Sequence, residues 1–154
     1  MNQNKRPIFL IHGLWNNPRL FEKLILKINE NNYQLYRPYL PHEFGKTSLR
    51  RLARDLDSKI QELVGPEIEI DIIGFSMGGL ISRIWLQKHN GILRTKRFIS
   101  IGTPHFGTYT AQIIPSFFMP GIAEMKRGSD LLSELNNDLT SLENIECTSF
   151  FTKW

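Results

Sequence analysis

Short apolar runs alternate along the chain with stretches whose apolar positions recur at helical spacing. Residues 7–12 (Pro-Ile-Phe-Leu-Ile-His), 33–38, 67–74 (Glu-Ile-Glu-Ile-Asp-Ile-Ile-Gly), 96–101 and about 146–152 read as strands. Between the first two, Asn17-Pro18 opens a helix with Leu20, Phe21, Leu24, Ile25 and Ile28 on one face. After the second, a polar loop from Pro41 to Thr47 leads to Ser48, a helix cap. That helix turns Leu49, Leu52, Ala53, Leu56, Ile60 and Leu63 inward and stops at Gly65-Pro66. A further helix is predicted from Met77 to about His89, closed by Asn90-Gly91, and another after the Ser129 cap with Leu131, Leu132 and Leu135 facing in. Strand-helix alternation of this kind predicts an α/β protein: one doubly wound, mostly parallel sheet, a single domain over residues 1–154.

Composition narrows the picture only slightly. The chain has 154 residues, long enough to bury roughly 68–70% of its unfolded surface without staples. Its 41% hydrophobic and 22% charged content is that of an ordered globular protein. The one cysteine, Cys147, rules out an internal disulfide and a Cys-rich zinc site, and reads as a small buried hydrophobe. The net charge of +4 comes from scattered basic residues with no stripe, so no nucleic-acid partner is expected. No apolar run approaches the roughly 18 residues of a membrane helix, and no secretion signal is visible after Met1, so a cytoplasmic location is expected.

The informative stretch is Gly74-Phe75-Ser76-Met77-Gly78-Gly79. It matches G-x-S-x-G between a strand and a helix, the context that motif requires. A turn that sharp forces Ser76 into a strained conformation with its hydroxyl projecting from the C-terminal edge of the sheet. Side chains at Gly74 or Gly78 would collide across it. His12-Gly13-Leu14 leaves the first strand at the same edge, where ligands bind in doubly wound sheets. The amides of Leu14 and Met77 would then receive the oxyanion of an acyl-transfer reaction. His12 shapes the loop, Gly13 lets it approach the substrate, and Phe75 and His105 join them as candidate substrate-binding residues. No phosphate-binding G-x-x-x-x-G-K-[ST] occurs. Asp71, upstream of the edge, is expected to be structural.

Four ordered segments carry a resemblance. They are Ile-Phe-Leu-Ile-His-Gly-Leu (8–14), Ile70 to Leu80, Ile-Gly-Thr-Pro-His-Phe-Gly-Thr (101–108) and residues 125–135. Together they resemble the α/β-hydrolase superfamily, specifically its bacterial triacylglycerol lipase and esterase branch. The resemblance implies hydrolysis of an ester or lipid through an acyl-serine at Ser76, with no metal and no organic cofactor. It also implies a triad in the order Ser, acid, His. Only His89 and His105 follow Ser76, and neither sits after an acid on a late strand. The expected acid would come just after Trp154, so the chain reads as shortened, lacking a last strand and helix. Loss of the base in a serine hydrolase costs on the order of 10⁶ in turnover. This chain is therefore expected to be weakly active or inactive, a binding module, or one half of a hydrolase completed by another chain. A bare sheet edge would favour such pairing. His105 is a poor substitute base, since it belongs to a loop present in relatives with a full triad. Residues 113–120 (Ile-Ile-Pro-Ser-Phe-Phe-Met-Pro) read either as a lid or acyl-chain wall, or as a core-covering segment.

Overall fold

The computed structural model describes residues 6–29, 33–113 and 117–151. Five strands form one sheet: β1 (Ile8–Ile11), β2 (Leu35–Tyr36), β3 (Ile70–Phe75), β4 (Thr95–Ile101) and β5 (Glu146–Phe150). Their order is β2-β1-β3-β4-β5, and every pairing is parallel. The principal helices are α1 (Glu22–Asn29), α2 (Leu49–Val64), α3 (Met77–Lys88), α4 (Tyr109–Gln112), α5 (Pro120–Glu124) and α6 (Asp130–Asn137).

Strand alternation divides the interior into two layers. Ile8, Leu10 and Ile73 point to one face, where they pack with Phe21, Leu24 and Ile25 under α1. Phe9, Ile11, Ile70, Ile72 and Phe98 point to the other, against Leu52, Leu56, Leu80, Ile84, Leu132 and Leu135 from α2, α3 and α6. Helices on both faces make the sheet doubly wound, as the alternation implied. Each fully buried large aliphatic side chain contributes about 1.5–3 kcal/mol relative to exposure. The Trp85 indole donates to Asp57 Oδ1 at 2.8 Å and ties α3 to α2.

Local signals act where expected. Asn17, Ser48 and Ser129 accept hydrogen bonds from the first turns they cap. The helix opened by Pro18 starts as a 3-10 turn over Pro18–Phe21 before becoming α-helical. Strand β3 begins at Ile70 instead of residue 67, because Pro66 has no N–H to donate and Ile68 is exposed. Strand β2 shrinks to two residues. The short elements α4 and α5 and a 3-10 turn at Glu43–Gly45 carry too few residues to show a period.

One expectation fails. Cys147 is exposed, not buried, because β5 is an edge strand whose five residues are all exposed. In the segment left open between lid and core cover, Ile113, Phe117 and Phe118 are exposed while Met119 packs against the core. Residues 114–116 and 152–154, which include the expected strand end at about 152, lie outside the described residues.

Asp71 is structural. It is 5% exposed, accepts from Arg6 Nη1 at 3.0 Å, and accepts from Arg97 Nε and Nη2 at 3.1 and 2.8 Å. It thereby pins β3 to the segment before β1 and to β4. Both arginines reach solvent, so Asp71→Ala should cost about 1.5–3 kcal/mol and not the full penalty of a stranded buried charge. Urea unfolding should show a lower midpoint at unchanged slope; an unmoved midpoint would contradict this role.

Candidate active site

The chain passes through a strained turn at Ser76, with φ 52° and ψ −122°. A non-glycine residue in that region costs on the order of 1–3 kcal/mol and needs a surrounding that enforces it. Two backbone bonds do so. The Ser76 N–H donates to Ile101 O at 2.8 Å, and the Gly79 N–H donates to Ser76 O at 3.0 Å. The neighbouring glycines allow the packing. A Cβ on Gly74 would lie 2.5 Å from Gly79 Cα, and one on Gly78 would strike the carbonyl oxygens of Ile11 and His12. Thus the Gly74 collision is across the turn, as expected, whereas Gly78 is required by the end of β1. Gly13 completes the contact: a Cβ there would sit 3.0 Å from Ser76 Cβ and from Phe75 O.

Ser76 is half-buried, and its side chain makes no cap to α3. It borders a cavity of about 260 Å³, lined also by Leu14, Trp15, Thr108, Ala111, Ile122 and Met125. Met77 opens α3, so its amide has no intrahelical acceptor and lies at the positive end of the helix dipole. Leu14 faces the same cavity from the loop after β1. The structure therefore brings Ser76, Met77, Leu14 and Gly13 together. A larger cavity of about 530 Å³, between Arg50 and Arg127, does not include Ser76.

The loop after β1 is held from below by two histidines. His12 is fully buried; its Nδ1–H donates to Gly13 O at 3.1 Å, and its Nε2 accepts from Leu40 N at 3.0 Å. With both nitrogens used, His12 supports the loop and cannot contact substrate. Burial above all, then nearby His42, holds its pKa below the ordinary value despite the bond to Gly13. His42, two residues beyond Leu40, repeats the arrangement. It accepts from Phe44 N at 3.2 Å and donates through Nε2 to Asn16 O at 3.2 Å, with its ring edge-on to His12 at 5.6 Å. Sequence reasoning missed His42. The available signal was its place just after β2, at the same sheet edge as His12.

The other assignments separate. Phe75 packs into the α1 layer beside Ile73 and Ile101, away from the cavity wall. His105 lines a different cavity. Its Nδ1 accepts from Arg83 Nη1 at 3.3 Å, and its Nε2–H donates to Ser100 Oγ at 3.0 Å, leaving no lone pair for Ser76. Burial, then the Arg83 charge, pushes its pKa down to about 4. His89 caps the far end of α3, roughly 18 Å along the helix from Ser76. No histidine or carboxylate bonds to Ser76 Oγ among the described residues.

Two outcomes follow. His42→Phe keeps the ring but removes both hydrogen bonds, and should lower stability by about 1–3 kcal/mol through the unpaired Asn16 carbonyl and Phe44 amide. An unfolding free energy equal to wild type would count against the support. His105 binds its proton more weakly folded than unfolded. The unfolded chain is protonated first as pH falls, so the His105 contribution is complete above about 6.5 and is lost on the way down through about 4. Melting temperatures across that window should fall in wild type and fall less in His105→Gln; parallel slopes would refute the assignment.

Comparison with known proteins agrees with this geometry. The alpha/beta hydrolase fold family matches residues 6–142. Lysosomal thioesterase PPT2 of Mus musculus is 30% identical over 112 residues, covering 68% of this chain and 35% of the relative. The Rattus norvegicus protein of that name gives the same figures. Among solved structures, the mature Bacillus licheniformis lipase BlEst2 superposes with a TM-score of 0.73 at 19% identity, covering 96% of this chain and 66% of that one. Aspergillus fumigatus lipase B gives 0.76 at 13% identity, covering 96% and 37%. The chain spans about a third of the length of the curated relatives it matches. With a profile match over nearly its whole length and a strained serine at the strand-to-helix turn, the chain belongs to the alpha/beta hydrolase fold family.

Proposed function

We propose that the chain carries the nucleophile half of a serine hydrolase acting on carboxylic esters or thioesters. The observation that carries this reading is the left-handed Ser76 at the end of β3, half-exposed beside an apolar cavity and next to the start of α3. In the reaction, Ser76 Oγ attacks the acyl carbon and its proton passes to a base. The carbonyl oxygen becomes an oxyanion held by the Leu14 and Met77 amides, each donor contributing about 2.7–4 kcal/mol in a well-formed hole. Collapse expels the alcohol or thiol, which takes the proton from the base. Water then attacks the acyl-serine by the same route and releases the acid.

The chain's four histidines have other positions, so the base and its acid come from outside the described residues. Strand β5 offers the place for them to dock, since it ends the sheet with its five residues exposed. Further polypeptide pairing along that edge and carrying them is the reading we favour. The similarity to a thioesterase and to lipases supports an acyl substrate. The rival reading, a catalytically dead binding module, draws on the same lack of a base beside Ser76 among the described residues.

Fluorophosphonate labelling decides between them. Ser76 should label slowly in the isolated chain, and Ser76→Ala should not label. Hydrolysis of a short p-nitrophenyl ester should remain far below that of a complete triad, down by on the order of 10⁶, yet above the alanine control. Equal rates for wild type and Ser76→Ala, with no labelling, would leave the binding module standing.

A further inference from the structure

A third cavity, of about 320 Å³, lies between β4, β5 and the segment after α6, separate from the Ser76 cavity. Its size is at the lower end of small-molecule sites. Phe98, Phe106, Leu139, Leu142 and Cys147 give it an apolar wall. At the wall stands Arg83, which is 3% exposed.

Buried guanidinium groups are normally matched by an anion, because an uncompensated buried charge costs several kcal/mol. Arg83 has no such match. Its Nε donates to Gln87 Oε1 at 3.2 Å; Nη1 donates to Asn136 Oδ1 at 3.0 Å and to His105 Nδ1 at 3.3 Å; and Nη2 donates to Leu135 O at 2.8 Å. Every one of these acceptors is neutral. The fifth N–H has no acceptor, and no carboxylate makes an ion pair with Arg83, among the described residues. Nor can His105 compensate, being a neutral ring beside the cation. The neutral bonds fix the guanidinium in place, and the acid nearest its charge is the Cys147 thiol, which burial disfavours as a thiolate.

We propose that this cavity binds a monocarboxylate with an apolar tail, the carboxylate on Arg83 and the tail along Phe98, Leu139 and Leu142. The site is distinct from that of Ser76 and does not depend on Ser76 being a nucleophile. A carboxylate could arrive on a free amphipathic acid or on the side chain of a polypeptide. The apolar wall favours the former. A charge-assisted contact here answers a cation already desolvated, so binding avoids most of the cost of stripping water from the arginine.

Cys147 supplies the readout. It is the chain's one cysteine, is exposed, and lines the cavity. Octanoate should slow its alkylation by iodoacetamide in a saturable way. Octan-1-ol, with the tail and no charge, and N-acetylaspartate amide, with the charge and no tail, should protect weakly. Arg83→Gln should weaken octanoate protection roughly tenfold to a hundredfold, the worth of one charge-assisted hydrogen bond. Because Arg83 is buried, the variant is first checked for a cooperative melt. Leu139→Trp serves as the second variant: it changes an exposed rim residue, fills the mouth, and should abolish protection even if Arg83→Gln does not fold. Equal protection by octanoate and octan-1-ol, or octanoate protection intact in either folded variant, would overturn the proposal. Protection by N-acetylaspartate amide equal to that by octanoate would overturn the apolar tail and assign the site to a polypeptide carboxylate.

Discussion

Close contact between the start of α3 and the end of β1 is the constraint on which the architecture rests. Gly78 lies so near the carbonyl oxygens of Ile11 and His12 that no side chain fits between them. This contact seats the helix directly over the sheet edge, brings Gly74 against Gly79, and leaves Ser76 no relaxed conformation. The strain is maintained by packing all round it: the Ile101 carbonyl on one side, the Gly79 amide on the other, and Gly13 against the serine Cβ. Strand register transmits the constraint. Ile11 pairs with Gly74 and Phe75 with Ile101, so the ends of β1, β3 and β4 converge on one spot.

Much of this could be read from the order of residues, for identifiable reasons. Long apolar periods mark α2 and α3, and the caps at Ser48 and Ser129 mark where helices begin, because those signals are local. Parallel pairing followed from strand-helix alternation. Ser76, Met77, Leu14 and Gly13 come together because one motif demands one backbone geometry. Illegible were the features set by distant partners. Cys147 looks apolar, but its exposure depends on β5 being an edge. His105 sits at the correct end of β4, yet its ring turns to Arg83 and Ser100, a choice made by α3 and not by the loop. The role of His42 depends on β2 lying beside β1, which no local pattern announces.

Most of the buried polar side chains are satisfied within the fold; Thr103 Oγ1, which has no hydrogen-bond partner, and Arg83 depart from this among the described residues. Asp71 has two arginines, and His12 and His42 each use one ring nitrogen as donor and the other as acceptor. These groups are satisfied within the fold and hold strands or loops in place. Arg83 donates four hydrogen bonds to neutral acceptors, has no carboxylate partner among the described residues, and stands in a cavity wall.

The segment from Gly102 to Thr108 is a partition with a chamber on either side. Gly102, Pro104 and Thr108 face the serine, while His105 and Phe106 face the buried arginine. Variation in this stretch is therefore pleiotropic. A change that enlarges one chamber displaces the wall of the other, so the two cannot drift independently, and compensating changes are to be sought across the partition rather than along it.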